Sequence, residues 1–347
     1  MIRLMTHSKY SFLGLSLIFL CFFSACSFMG KQAPVWKGGA FTPNGQYYVY
    51  HYSVYNVQQY SQQGGMTHRS GTTDHFIQVL DVHTGKPILD KPIRFRTQLS
   101  IGDITNRYIY LRIRDLKREE HSLAIIDIAN GELKFSAKDI RKLNPDIPFG
   151  YGAFYTSTSE HGAGVYEADD GRKYDVNPET GKLSLSKSPK EGSRSDFDIS
   201  FSPLVNSVRG IRTSMENGSR SRLSLEKRTE VVSQDDFLEP VFLAQAGEDK
   251  YRMDPIAYEG SFFVISKTGR ANEKDLLLTR VDARDLSTLW SVSIPEEENE
   301  EQDPMIHMIR FTKDKTDLLL CNQSHFLRID LETGEVLNDQ MLLPEHK

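Results

Sequence analysis

Cysteine is nearly absent from this chain: three in 347 residues, at positions 21, 26 and 321. Two of them fall within the first 26 positions, so the folded body keeps one thiol and no disulfide framework can form. Cys321 lies in the apolar run "TDLLLCN", which fits a buried inert thiol, since reactive thiols occupy exposed electropositive surroundings. Tryptophan is as scarce, with Trp36 and Trp290 alone. Basic excess is missing too: 42 Lys and Arg stand against 47 Asp and Glu, a net charge of −5, which speaks against a nucleic-acid binder. No GxSxG, HExxH, CxxC, GxGxxG or Walker A signature occurs. "PETGK" ends like a phosphate-binding loop, but Val176 stands where its first Gly is needed and Leu183 where Ser or Thr would reach magnesium. After residue 26 there is no long stretch of 3.6-residue periodicity, and Gly, Asn, Asp and Ser interrupt the apolar runs. An all-β body is what these absences leave.

What is present begins with export. "MIRLMTHSKY" carries Arg3 and Lys9 and no acid, and "SFLGLSLIFLCFFSA" follows as an apolar core of signal-peptide length. That run is shorter than the ~20 apolar residues of a permanent span. Its end, "FSAC" at Phe23–Cys26, resembles the lipobox of bacterial lipoproteins, with Phe23 where Leu is usual. The resemblance implies cleavage after residue 25, acylation of Cys26 and a membrane partner reached through those acyl chains. Ser27, lacking the Asp that retains such proteins at the inner membrane, implies sorting to the outer membrane, facing the periplasm, in a Gram-negative host. A plasma-membrane surface lipoprotein is the Gram-positive counterpart, and an ordinary signal peptide the competing reading. The expected organisation is therefore signal 1–25, lipidated tether 26–36 and a β domain 37–347.

The body repeats itself. "DVHTGKPI" at 81–88, "DIANGELK" at 127–134, "NPETGKLS" at 177–184, "DARDLSTL" at 282–289 and "DLETGEVL" at 330–337 recur at about fifty residues or twice that, with a worn copy in "LSLEKRTEVV". Each sits between strand patterns, as a hairpin turn does. Asp81, Asp127 and Asp330 are placed to accept turn N–H groups, and Gly85, Gly131, Gly181 and Gly334 to take the left-handed conformation that lets the strand resume. A second repeat, "FTPNGQYYVYHY" from Phe41, "FSPLVNSVRGI" from Phe201 and "FTKDKTDLLLC" from Phe311, supplies another hairpin per unit. Four-stranded units of this kind bury both faces by packing radially, the β-propeller solution. The pattern resembles the blades of WD-repeat-like and quinoprotein-dehydrogenase-like propellers over residues 36–343, without the Trp-Asp dipeptide or the recurrent docking tryptophans. Six units begin near 37, 98, 149, 196, 252 and 305; a seventh would have to hide between 185 and 255. A sandwich or a β-solenoid is the rival architecture.

Candidate sites are few. Residues 56–75, "NVQQYSQQGGMTHRSGTTDH", form a polar insertion suited to a binding loop. His51, His68, His75 and His83 around it lack the close spacing of a zinc site, so no metal and no cofactor is expected. "PEEENEEQDP" at 295–304 reads as a solvated acidic run. Arg209, Arg212, Arg220, Arg222, Lys227 and Arg228 could line a rim facing an acidic partner. With no catalytic constellation, the expectation is a non-enzymatic protein-binding scaffold of the envelope, with an envelope protein as partner and no nucleic acid. The alternative is a carbohydrate- or peptide-binding protein, or an enzyme, whose site is assembled at the axis.

Overall fold

The computed structural model describes residues 31–63, 66–115, 120–149, 154–155, 164–186, 204–217, 220–246, 253–268, 276–295, 306, 308–312 and 314–344. Cys26, Ser27, Phe201 and nearly all of the acidic run lie outside these residues. The described chain is built of antiparallel sheets, and four of the five are four-stranded meanders in chain order. The first comprises β1 (Val35–Phe41), β2 (Tyr47–Gln63), β3 (Met66–Asp81) and β4 (Ile93–Phe95). The second comprises β5 (Gln98–Ile104), β6 (Tyr108–Asp115), β7 (Glu120–Asp127) and β8 (Glu132–Phe135). The third runs from β9 (Phe154–Tyr155) through β10 (Val165–Glu167) and β11 (Lys173–Val176) to β12 (Leu183–Leu185). The last comprises β22 (Met308–Phe311), β23 (Asp317–Cys321), β24 (His325–Asp330) and β25 (Val336–Met341).

Between the third and last sheets the separate-meander pattern breaks. The described strands between 204 and 294 form one nine-stranded sheet, of β13 (Leu204–Val205), β14 (Ile211–Asn217), β15 (Arg220–Leu225), β16 (Arg228–Val232), β17 (Phe237–Ala246), β18 (Met253–Pro255), β19 (Ser261–Lys267), β20 (Leu276–Asp282) and β21 (Thr288–Ile294). Its joint is β17 (Phe237–Ala246), whose start pairs with β15 (Arg220–Leu225) and whose Leu238–Phe242 pairs with β19 (Ser261–Lys267). The two units expected here thus share backbone hydrogen bonds as well as packing, and no separate further sheet occurs among the described residues of 185–255.

Burial explains why the inner strands are apolar on both sides. All five residues of β23 and the first six of β19 are buried, whereas the edge strand β25 is mostly exposed. A strand buried on both faces needs a sheet on each side, and the cores supply them. Val49, Ile77 and Val79 of the first sheet share a core with Ile109, Leu111 and Ile126 of the second. The opposite face of the second, Tyr108, Tyr110, Leu123 and Ile125, shares one with Tyr166 and Tyr174 of the third. Within the nine-stranded sheet, Leu223 meets Phe262 and Val281, while Phe263, Ile265 and Leu278 meet Leu318, Leu320 and Ile329 of the last. Leu319, Cys321 and Phe326 then pack on Tyr48, Tyr50 and Leu80 of the first sheet. Each such side chain taken out of water contributes about 1.5–3 kcal/mol, so the contact between the last and first sheets is a full core.

Among the described residues one helix, Ala137–Leu143, interrupts the strands. It starts in a capping box, with Ser136 and Asp139 bonding each other's backbone N–H. Asn144 at its end donates to the carbonyl of Gly181 and accepts from the N–H of Leu183, at 2.9 and 2.8 Å, joining the second sheet to the outer strand of the third.

Candidate functional site

The recurrent turn has one geometry throughout. The fifth residue donates its N–H to the first residue's carbonyl in all five copies: Gly85 to Asp81, Gly131 to Asp127, Gly181 to Asn177, Leu286 to Asp282 and Gly334 to Asp330. A side-chain oxygen of the first residue accepts turn N–H groups, Asp81 from Thr84, Asp127 from Ala129, Asn177 from Glu179 and Thr180, Asp282 from Arg284, and Asp330 from Thr333. All four glycines have positive φ, between 64° and 75°.

Their missing Cβ serves a second purpose. A Cβ on Gly334 would lie 2.7 Å from the Trp290 ring in the preceding unit, and one on Gly131 would lie 2.1 Å from Leu89 in the first sheet. Gly181 abuts Phe135 of the second sheet and Leu143 of the helix, and Gly85 abuts Asn338 of the last sheet. Each glycine turn therefore seats against the unit before it, and the first sheet's turn seats against the last sheet. Polar clamps lie at the same seams. Arg280 donates to Ser261 Oγ and to the Leu331 carbonyl at 2.6 Å, and Trp290 Nε1 donates to that carbonyl at 3.0 Å. Arg328 pairs with buried Asp317 at 2.6 Å and donates to the His83 carbonyl of the first sheet. Lys134 and Tyr108 both bond Glu179 of the third sheet's turn.

Threonines complete the other hairpin, whose turn lies beside the recurrent one at the same end of the sheet, a device that sequence reasoning passed over. Thr42 Oγ1 accepts from the N–H of Tyr47, Thr105 from Tyr108 and Thr312 from Asp317. The signal was present as Phe-Thr or Ile-Thr at 41–42, 104–105 and 311–312.

The polar insertion is a strand ribbon. β1 pairs with β2 as far as Ser53 and β4 with β3 as far as His75, while β2 and β3 stay paired with each other out to Gln63 and Met66. Two strands thus project from the sheet end opposite the recurrent turns. The N-terminal segment runs along the base: Lys31 bridges to Asn56, and Gln32 N–H donates to the Tyr55 carbonyl at 2.9 Å. Asn56 and Arg94 both donate to Asp74 there, at 2.8 and 2.6 Å.

Just inside that base His51 Nε2 and His75 Nδ1 lie 3.0 Å apart, both buried. Burial, then His75 and Lys37, lower the His51 pKa to about 4; burial, then Lys37, lower that of His75. Both imidazoles are therefore neutral at neutral pH. His83 lies exposed at the seam between the last and first sheets, and the side chain of His68 lies outside the described ones; no group of three or more metal-ligating side chains forms among the described residues. On β5, at a register shift, Asp103 is half-buried with its carboxyl pushed up to about 7 by desolvation.

Of the arginine-rich stretch, Arg209 pairs with Asp254 and Arg222 with Asp236, while Arg212, Arg220, Lys227 and Arg228 have surface positions. Cys321 is wholly buried, its pKa raised by desolvation, so it cannot offer a thiolate nucleophile at neutral pH. Chemically, the described surface presents seams, a ribbon and charged turns, with no nucleophile held by a base.

No protein-family model matches the sequence, and no curated protein matches it. Among solved structures the chain is similar to Citrobacter koseri AztD, at 8% identity over 89% of this chain and 90% of that one, with a TM-score of 0.24. It is similar to the Dos1 propeller at 12% identity over 92% and 76% of the two chains, TM-score 0.24. A eukaryotic initiation factor gives 10% identity over 89% of each, TM-score 0.24. Likenesses this slight bear on neither fold nor function.

Proposed function

We propose that the chain is a six-bladed β-propeller, held to the cell envelope by acyl chains on Cys26, that serves as a non-enzymatic scaffold for another envelope protein. The observation carrying this reading is the core that the last sheet shares with the first, together with the cores joining first to second, second to third and the nine-stranded sheet to the last; among the described residues no core joins the third sheet to the nine-stranded one. Six units follow if the nine-stranded sheet is counted as two blades joined through β17. A ring of this kind buries the faces of its sheets and leaves turns, hairpins and outer strands for contact, and exposed edges can accept a partner strand. The lipobox at Phe23–Cys26 and Ser27 support anchoring at the outer membrane.

An in-cell crosslink and affinity pull-down of the intact lipoprotein tests it, with Cys26→Ser as the unanchored control. A reproducible envelope partner that is lost in the control is the expected outcome; membrane fractionation without any partner would remove the scaffold role.

A second reading, a small-ligand or catalytic site at the axis, has one observation behind it. Asp103, on the first strand of its sheet, is held near neutrality in pKa, as general acids and bases are. Asp103→Asn should abolish any such activity while leaving partner capture intact.

A further inference from the structure

Resting on the lipid-anchor reading, we infer that the β2–β3 ribbon lies on the headgroup surface of the bilayer that holds Cys26. The argument is one of lengths. Lys31 is fixed beside Asn56 at the ribbon base. Five residue steps separate it from Cys26, a reach of about 18 Å at full extension. From Asn56 the paired ribbon continues seven residues to Gln63, about 23 Å at the rise of a strand.

The sheets occupy the other side of Lys31, because β1 runs from Val35 back into the body. The bilayer therefore lies on the ribbon's side, closer to Asn56 than the ribbon is long. A ribbon standing upright would reach the bilayer before the tether was fully extended, so it lies along the surface.

Composition agrees with this placement. Residues 56–73 contain no Asp or Glu in a chain holding 47, and they include Tyr60, His68 and Arg69. An acid-free segment avoids repulsion from anionic phosphates, and Tyr suits the interface. The ribbon has too little apolar character to insert, so headgroup contact is the depth expected. A two-stranded ribbon is marginal alone in water, and a surface beneath it would limit its motion.

The test uses the full acylated chain in vesicles of phosphatidylethanolamine and phosphatidylglycerol carrying a headgroup-level nitroxide lipid. A fluorophore is placed on Ser61→Cys, on Gln58→Cys as a second ribbon position, or on Glu332→Cys at a recurrent turn; buried Cys321 stays unlabelled. The expected result is several-fold quenching at 61 and 58 and little at 332, reduced when phosphatidylglycerol is replaced by phosphatidylcholine. Should the protein float with vesicles and carry acyl chains on Cys26 by mass spectrometry, yet show equal quenching at 61 and 332, the ribbon placement is wrong and the anchor stands. An N-terminus without acyl chains would overturn both. Each labelled variant is checked for native unfolding behaviour, and 58 replaces 61 should the latter fail to fold.

Discussion

The seam between the last and first sheets and the joint inside the nine-stranded sheet solve the same problem differently. At the former, no strand pairing crosses among the described residues; Gly85 seats on Asn338, Arg328 reaches across to His83, and Leu319 and Phe326 meet Tyr48. At the latter, β17 carries hydrogen bonds from one unit into the next, and the turn changes with it. Where four copies hold glycine, the fifth holds Leu286, at φ 62° and 1% exposed, packed with Leu223 and Phe262. Glycine in this turn is thus required for two reasons, a left-handed backbone and close approach of a neighbour. Where the neighbour stands back, a side chain fills the space despite the backbone strain.

The sharpest way to break the contrast is at the clamp. Arg328→Ala leaves Asp317, almost fully buried, without its ion-pair partner, and should cost about 3–5 kcal/mol in denaturant unfolding. A loss below about 1 kcal/mol would mean that the seam tolerates an open clamp.

Glycine replacements come next. Gly334→Ala brings a Cβ against the rigid Trp290 ring as well as straining a positive φ, so about 2–4 kcal/mol should be lost. Gly171→Ala has a similar φ of 75° and open space around it, and should lose only about 1 kcal/mol. Equal losses at the two sites would show that backbone strain alone sets the cost.

Leu286→Gly gives a sign rather than a size. Relief of left-handed strain contributes about 1 kcal/mol, and loss of a buried leucine costs about 2–5 kcal/mol, so net destabilisation of about 1–4 kcal/mol is expected in thermal unfolding. Stabilisation would mean that the side chain fills nothing of consequence.

Smallest is the pH effect at the ribbon base. His51 is held below its unfolded value near 6.5, so the unfolded chain binds the proton first. Its contribution is complete above pH 6.5 and is lost as pH falls toward 4, by roughly 1–3 kcal/mol. Urea unfolding at pH 7.5 and 4.5 in an Asp103→Asn background should show that loss, and adding His51→Leu should flatten it. Asp103, raised toward 7, works in the opposite sense, its stabilisation being greatest below pH 4 and lost as pH rises through 7.

Much of this was legible in the residues. The D-x-x-T-G pattern encodes a turn whose Asp satisfies N–H groups and whose Gly supplies positive φ, both local requirements, so sequence alone locates it. The four-strand units followed from the same spacing. What stayed hidden depends on distant pairing: nothing in "FLEPVFLAQA" announces that β17 will join two units, because its partners lie in both directions along the chain. The short helix was written in "SAKD", a capping box, but seven residues are too few for periodicity to stand out. His51 and His75 are 24 positions apart and become neighbours only through the β2–β3 register.

Closure of the ring is the claim on which the rest depends, and distances between spin labels at equivalent turn positions test it directly. His83, Ala129 and Glu332 are all exposed two residues after the turn's first residue, in the first, second and last sheets. Double electron–electron resonance on pairs of cysteine-linked labels should give a separation between 83 and 332 as short as that between 83 and 129. If the 83–332 distance is instead the longest among the turn positions, the sheets form an open row, and the propeller reading falls.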